Sequence, residues 1–348
     1  MEAIISEKLR PILALTMGDP VGVGPEIIVK ALAEAQIYQV CRPLVLGDYP
    51  ALERARLGLS PGMNLHLAER PGLGRYKPGT IDLMPLSELK PKDLEYGRPT
   101  RTNGRATVSY ILKAIELALE RQVAGLVTGP ISKLSMNLSG YHYPGHTELL
   151  ADKTSTPEVA MMLAGGEFRV ILATIHCALA EVPRRLSTEG LLRLFKLVCQ
   201  ALSQDFGLAG MPLAVAALNP HAGEGGMFGG EEEGIIIPAI KAAQAAGLPL
   251  EGPFPADTLF WRHRQGEFAA VVCMYHDQGL IPLKLLHFMD GVNVTLGLPI
   301  IRTSVDHGTA YHLAGTGRAA ADSLKAAIKM AAAMAKRRFG EGEIKSSR

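Results

Sequence analysis

The amino-acid sequence predicts an α/β protein built on a mostly parallel sheet, and two observations predict it. Short apolar runs of strand length alternate along the whole chain with longer runs whose apolar residues recur at helical spacing. Gly- and Pro-containing turns separate the two kinds of run. Residues 12–17 (ILALTM) read as the first strand and 18–24 as a turn. Residues 25–35 read as a helix, with Pro25 at the first helical position, where the missing N–H is not needed. Residues 42–46 form the second strand. Residues 105–121 form a helix, because Val108, Ile111, Leu112, Ile115 and Leu119 share one face. Residues 125–128 form a strand that ends in Gly129-Pro130. The second half repeats the grammar, with strands expected at 168–174, 213–218 and 269–274 and helices at 188–202, 231–246 and 319–338. The last helix ends in Lys336, Arg337 and Arg338, which suit the negative end of a helix dipole. The polar tail after Gly340 reads as frayed. Residues 60–104, rich in Pro and Gly, do not parse into elements.

A chain of 348 residues can bury one large core or two. No long linker, low-complexity segment or internal repeat divides it, so two lobes sharing a sheet or a hinge are expected. Apolar residues make up 47% and charged residues 20%, the balance of an ordinary globular protein. A net charge of +2 gives no reason to expect a nucleic-acid partner. Glu7, Lys8 and Arg10 precede an apolar run too short for a signal peptide, and no run reaches the roughly 18 apolar residues that span a bilayer. Cys41, Cys177, Cys199 and Cys273 include no C-x-x-C pair, so reduced thiols are expected, and with them a cytoplasmic protein.

Three histidines stand at equivalent places. His176 follows the strand VILATI, His221 follows AVAALNP and His276 follows AAVVCMY. The C-terminal edge of an open α/β sheet is where ligands bind, and three neutral imidazoles can hold a divalent metal with positions left open for substrate. Unrelated loop histidines would show the same positions one by one. Asp277, Gln278, Asn219 and Glu224 lie beside these histidines, either orienting them or capping loops. His146 and Thr147 open a helix-like segment, GHTELLADKT, where free N–H groups favour an anion, though Thr147 alone could be a helix cap. Lys284, Asn293 and Arg302 are further anion-binding candidates, and taken singly each also reads as a polar side chain solvated at the surface. The glycine-rich stretches at 18–26 and 221–232 match neither the dinucleotide G-x-G-x-x-G nor the P-loop, so pattern alone names no cofactor and no cofactor-binding residue.

Taken together, LTMGDPVGVGPEI (15–27), VTGPISK (127–133), YHYPGHTELLA (141–151), LNPHAGEGG (218–226), GPFPADTLF (252–260), MYHDQGLIPLK (274–284) and GVNVTLGLPIIRTSVDHGTA (291–310) resemble the 4-hydroxythreonine-4-phosphate dehydrogenases of vitamin B6 synthesis. The resemblance implies an isocitrate/isopropylmalate dehydrogenase-like fold, with two α/β/α lobes around a central cleft. On that fold the first lobe is expected at 1–135 plus 305–348, and the second, carrying metal and dimer contacts, at 136–304. It implies NAD, or NADP, bound without the Rossmann glycine motif, and a homodimer with active sites at the subunit interface. It implies a divalent metal (Zn, Co, Mn or Mg) on His176, His221 and His276, with imidazole favouring the first three over magnesium. It implies substrate contacts from His146, Thr147, Lys284, Asn293 and Arg302, and Asp257 and Asp277 also match. A neutral lysine or a nearby carboxylate, Lys284 or Asp277, is expected to accept the hydroxyl proton. The implied reaction is oxidation of 4-phosphooxy-L-threonine followed by decarboxylation. Sister activities on D-erythronate or D-threonate 4-phosphate share the same recognition motifs. A phosphotransacetylase-like enzyme, which shares the broad architecture, would need neither nicotinamide nor the histidines.

Overall fold

The computed structural model describes residues 10–340, so the charged residues Glu7 and Lys8 and the tail after Gly340 lie outside it. Twelve strands occur in the described chain: β1 Ile12–Thr16, β2 Arg42–Asp48, β3 Asn64–Leu67, β4 Thr80–Ser87, β5 Gly125–Thr128, β6 Ala160–Gly165, β7 Phe168–Leu172, β8 Leu213–Ala216, β9 Leu250–Phe254, β10 Ala270–Cys273, β11 Val292–Leu296 and β12 Arg302–Val305. The principal helices are α1 Gly24–Leu32, α2 Ala35–Val40, α3 Tyr49–Leu59, α4 Arg101–Leu119, α5 Lys133–Leu138, α6 His146–Lys153, α7 Thr188–Phe206, α8 Ile237–Ala245, α9 Ala256–Arg264, α10 His276–His287 and α11 Asp322–Phe339. The expected α/β class is what the chain adopts. Its contacts divide it into two compact units, one reaching Pro157 and resuming at Leu298, the other Glu158–Gly297. The sequence expectation put these joins near 135 and 304.

In the first unit the strands run β3-β4-β2-β1-β5-β12, and every pairing is parallel. All residues of β1 and β5 are buried, which is why both read as unbroken apolar runs. Gly24 lets α1 lie close against the end of β1, because a Cβ there would sit 2.0 Å from the Met17 carbonyl oxygen. That packing need accounts for one glycine of the stretch at 18–26. Helix α4 begins at a reciprocal cap: Asn103 N–H donates to Thr100 Oγ1 at 3.2 Å, and Thr100 N–H donates to Asn103 Oδ1 at 2.9 Å. The unparsed region 60–104 contains β3 and β4. Its irregular stretch is pinned by buried Asp82, which accepts N–H bonds from Arg75 at 2.8 Å and Tyr76 at 2.7 Å.

In the second unit the order is β11-β6-β7-β10-β8-β9. Strand β6 is antiparallel to both β11 and β7, the departure from an otherwise parallel arrangement. Strands β7, β10, β8 and β9 pair in parallel. The core on this sheet includes Phe168, Val170, Leu172, Ala214, Val271, Leu283 and Phe268. Each large side chain buried there contributes on the order of 1.5–3 kcal/mol. Helix α10 spans Pro282, and the expected helix at 231–246 splits into a wide turn, Glu232–Ile236, and α8. All four cysteines are free thiols. Among the described residues, no helix is long and apolar enough to cross a membrane.

Candidate active site

The three histidines leave the sheet on neighbouring strands. His176 follows β7, His276 opens α10 after β10, and His221 follows β8, while β10 pairs in parallel with both β7 and β8. Their shared edge is the C-terminal one, where the α/β architecture puts ligands. Buried hydrogen bonds lace the exits together. Thr174 Oγ1 donates to the Met274 carbonyl at 2.7 Å, tying the β7 exit to the β10 exit. Gln278 accepts from Met274 N–H at 2.7 Å and donates to the Ala217 carbonyl at 2.6 Å, tying β10 to β8. Gln278 is thus a brace between strand exits.

The rings of His176 and His276 lie side by side, with centroids 5.6 Å apart. Asp277 Oδ1 takes the Nδ1–H of His276 at 2.7 Å, which leaves Nε2 of that ring as the open nitrogen. His221 stands by itself, exposed, with the Phe228 ring 6.1 Å away. Among the described residues, no three His, Cys, Asp or Glu side chains gather closely enough to hold a metal ion. The donor set fits a divalent transition metal in chemistry: imidazoles, one with its outer nitrogen held by a carboxylate. Two of the donors are adjacent, and the third is carried on an unusual turn.

That turn runs left-handed for six consecutive residues. His221, Ala222, Gly223, Glu224, Gly225 and Gly226 have φ of 53°, 54°, 79°, 44°, 64° and 89°. Left-handed backbone costs a non-glycine residue about 1–2 kcal/mol, and three such residues occur here. Strain of this kind persists only where the surroundings impose it, and it concentrates at functional sites. Asn219 does not touch a histidine; its Nδ2 donates to Glu231 at 2.8 Å and to Glu232 at 2.9 Å.

The first unit brings Arg302, Thr128 and His146 into a cradle whose groups suit an anion. Arg302, at the start of β12, is 2% exposed and donates through Nε and Nη2 to Thr128 Oγ1 at 3.2 and 2.9 Å. Burial lowers its pKa to about 9, and Glu148 pushes the other way, so the guanidinium is charged at neutral pH. His146 stands at the first position of α6, with Thr147 buried next to it. Burial, and then the positive Arg302, hold the His146 imidazole well below its ordinary pKa, so it is neutral at pH 7. Its Nε2 is shut off from solvent and has no hydrogen-bond partner in the protein. A buried orphan of this kind costs about 1–3 kcal/mol, which a ligand oxygen at the helix start would recover. A buried cation, a neutral imidazole and helix N–H groups together suit a carboxylate or phosphate.

Three further candidates, Lys284, Asn293 and Asp257, are carried on the second unit. Lys284 is on the same helix as His276, and 284 − 276 = 8 residues puts about 12 Å of axial rise between them. Its ammonium lies 5.7 Å from the centre of the Phe288 ring. Asn293 pairs with Leu163, which pairs with Val170, so it sits within the sheet and not at the exit edge. Asp257 is exposed in the first turn of α9. Sequence reasoning missed Thr128, which looks like any strand residue, and Glu232, which looks like one surface charge in the run Glu231-Glu232-Glu233. The one available signal for Glu232 was its place after a glycine-rich loop that must be held by something.

Comparison with known proteins bears on what this arrangement is for. The model of the family described as pyridoxal phosphate biosynthetic protein PdxA matches residues 39–331. A 4-hydroxythreonine-4-phosphate dehydrogenase from Desulforapulum autotrophicum is 53% identical, over 94% of this chain and 96% of its own. A D-threonate 4-phosphate dehydrogenase from Cupriavidus necator is 44% identical, over 94% of this chain and 98% of its own. The crystal structure of a 4-hydroxythreonine-4-phosphate dehydrogenase from Klebsiella pneumoniae superposes with a TM-score of 0.87 at 40% identity, covering 94% of this chain and 98% of that one.

Proposed function

We propose that this chain, which belongs to the pyridoxal phosphate biosynthetic protein PdxA family, oxidises 4-phosphooxy-L-threonine with NAD in a metal-dependent reaction. The observation that carries the reading is the pairing of His176 with His276 at the exits of adjacent parallel strands, next to the strand that leads to His221. The 53% identity to a relative of that name supports this substrate.

In this reading His176, His221 and His276 hold a divalent metal, whether zinc, cobalt, manganese or magnesium. When bound, it supplies Lewis-acid stabilisation of negative charge on the substrate's 3-oxygen. Asp277 keeps His276 in the tautomer that offers Nε2. Arg302, His146 and Thr147 hold an anionic end of the substrate; Arg302 gives charge, and His146 Nε2 gains the partner it lacks. The family resemblance adds Lys284 and Asn293 as substrate contacts, although neither lies at the histidine edge of the single chain. These contacts fix the orientation of the C3–H bond. Hydride leaves C3 for NAD or NADP, and the hydroxyl proton leaves to Lys284 or Asp277. The product, 2-amino-3-oxo-4-phosphooxybutanoate, then breaks its C1–C2 bond, releases CO2, takes a proton at C2 and becomes 3-amino-2-oxopropyl phosphate.

The reading includes a homodimer with active sites at the subunit interface. Helix α10 and the residues after it expose Ile281, Leu285, Phe288 and Met289, with Leu285 84% exposed. An apolar stripe of this size beside Lys284 is the kind of surface a second copy covers. The free thiols suit the reducing cytoplasm, the proposed location.

Kinetics on a substrate panel test the reading. Metal-dependent NAD reduction with a kcat/KM highest for 4-phosphooxy-L-threonine is the expected result. A higher value for D-threonate or D-erythronate 4-phosphate moves the enzyme to sugar-acid breakdown with the same mechanism, as the Cupriavidus necator relative's name suggests. Silence on all three rejects the dehydrogenase reading.

A further inference from the structure

We propose that Glu232 is the positioning residue for His221: its carboxylate holds the left-handed turn that carries the imidazole, and so governs how tightly the protein binds its metal. The inference rests on the reading of His221 as a metal ligand. Glu232 is 1% exposed. Its Oε1 accepts the N–H groups of Leu218 at 2.9 Å and Asn219 at 2.8 Å, and its Oε2 accepts Asn219 Nδ2 at 2.9 Å. A buried carboxylate is tolerated when hydrogen bonds replace its water, and three donors do so here. Those donors belong to the two residues immediately before Pro220 and His221, where the chain must leave β8 and enter the left-handed run. The turn also packs onto the carboxylate itself. A Cβ at Gly223 would lie 2.8 Å from Glu232 Oε2, so the position needs glycine for space as well as for its φ of 79°.

The turn's own bonds are local: Glu224 N–H to the His221 carbonyl at 3.2 Å, Gly226 N–H and Phe228 N–H to the Gly223 carbonyl at 3.0 and 3.2 Å, and Met227 N–H to the Glu224 carbonyl at 3.4 Å. Such contacts exist only once the strained backbone is formed, so they do not explain why it forms. From outside the turn, β9 and α9 pack against Pro220–Gly223, and the side-chain hydrogen bonds that fix its entry are accepted by Glu232, with Glu231 adding a bond to Asn219. Glu232 in turn is carried on the wide turn Glu232–Ile236, where Ile237 N–H reaches back to the Glu232 carbonyl, an irregularity that recurs at functional sites. Both carboxylate oxygens are engaged with donors, so Glu232 acts through the loop and not as a metal ligand.

The test uses the full-length protein, stripped with a chelator and titrated calorimetrically with Co2+, together with hydrogen exchange over residues 218–228. His221→Ala is expected to raise the Co2+ Kd by more than 100-fold. Glu232→Ala is expected to raise it about 10–100-fold, the size seen when an outer support of a metal ligand is removed. Glu232→Gln keeps an acceptor for the two backbone N–H groups and should fall between it and the parent; it also supplies the comparison if the alanine variant does not fold. Exchange should rise in both Glu232 variants and stay confined to 218–228. Parent-like affinity in the Glu232 variants, with binding weakened in His221→Ala, overturns the positioning role and leaves the metal reading standing. Parent-like affinity in His221→Ala overturns the metal reading instead, and the exchange data then decide whether Glu232 holds the turn.

Discussion

The anion cradle of the first unit and the histidine edge of the second are built from the same strand-turn-helix grammar, yet they hold their side chains in different ways. Arg302, Thr128 and Thr147 are buried on regular elements, and their geometry is set by strand register and a helix start. His176 and His221 are exposed, and His221 rides on a backbone that most residues avoid. On the proposed reading the cradle needs burial, because a charge with little water around it would bind an anion strongly. On the proposed reading the histidines need reach and an open face, because a metal would have to enter and still accept substrate. The first design is secured by packing. The second is secured by hydrogen bonds from buried groups behind it: Thr174, Gln278 and Glu232.

The largest effect separating the two regions comes from removing a metal donor. His276→Ala is expected to lower kcat on the order of 10³-fold with little change in global stability, because the lost group acts on charge in the transition state. Steady-state kinetics with a melting curve check it; loss of stability with kcat retained would mean that the histidine edge is structural.

Next in size is an acid effect that both units share. Burial holds His146 and His263 below their ordinary pKa, His263 down to about 4. Below pH 6.5 the unfolded chain takes up protons that the folded chain refuses, so stability falls with falling pH and levels only beneath the folded values. For His263 alone the loss between pH 6.5 and 4 is roughly 3 kcal/mol. Denaturant melts across that range check it, and His263→Gln should flatten the slope.

Arg302→Lys should then lower kcat/KM by about 10–150-fold, equivalent to roughly 1.5–3 kcal/mol, through loss of a forked guanidinium. A change below threefold would argue that the cradle holds no substrate anion. Smallest is Thr100→Ala, which removes the cap of α4 and should cost about 1 kcal/mol in chemical melts with activity unchanged.

Much of this contrast was legible in the sequence, for identifiable reasons. Strands such as β1, β5 and β10 are buried on both faces and therefore appear as unbroken apolar runs. Three histidines after three such runs pointed to one sheet edge, and β7, β10 and β8 are indeed neighbours there. Residues 60–104 stayed opaque because β3 is a four-residue edge strand with no buried residue, and β4 carries Asp82 and Pro85 among its apolar residues. Helix α10 was hidden by Pro282. Glu232 and Thr128 could not be found, because burial, and not residue type, gives them their roles. Asn219 was placed beside His221 by sequence distance, while its bonds run to Glu231 and Glu232.

The central claim is hydride removal from C3 of a phosphorylated hydroxy acid, dependent on the histidine-bound metal. The most direct measurement supplies metal-reloaded protein with NAD and 4-phosphooxy-L-threonine deuterated at C3, and analyses the reduced cofactor by mass spectrometry. Deuterium is expected in the reduced nicotinamide, lost on chelation and in His276→Ala. Reduced cofactor without deuterium, or undiminished transfer in the chelated protein, would contradict it.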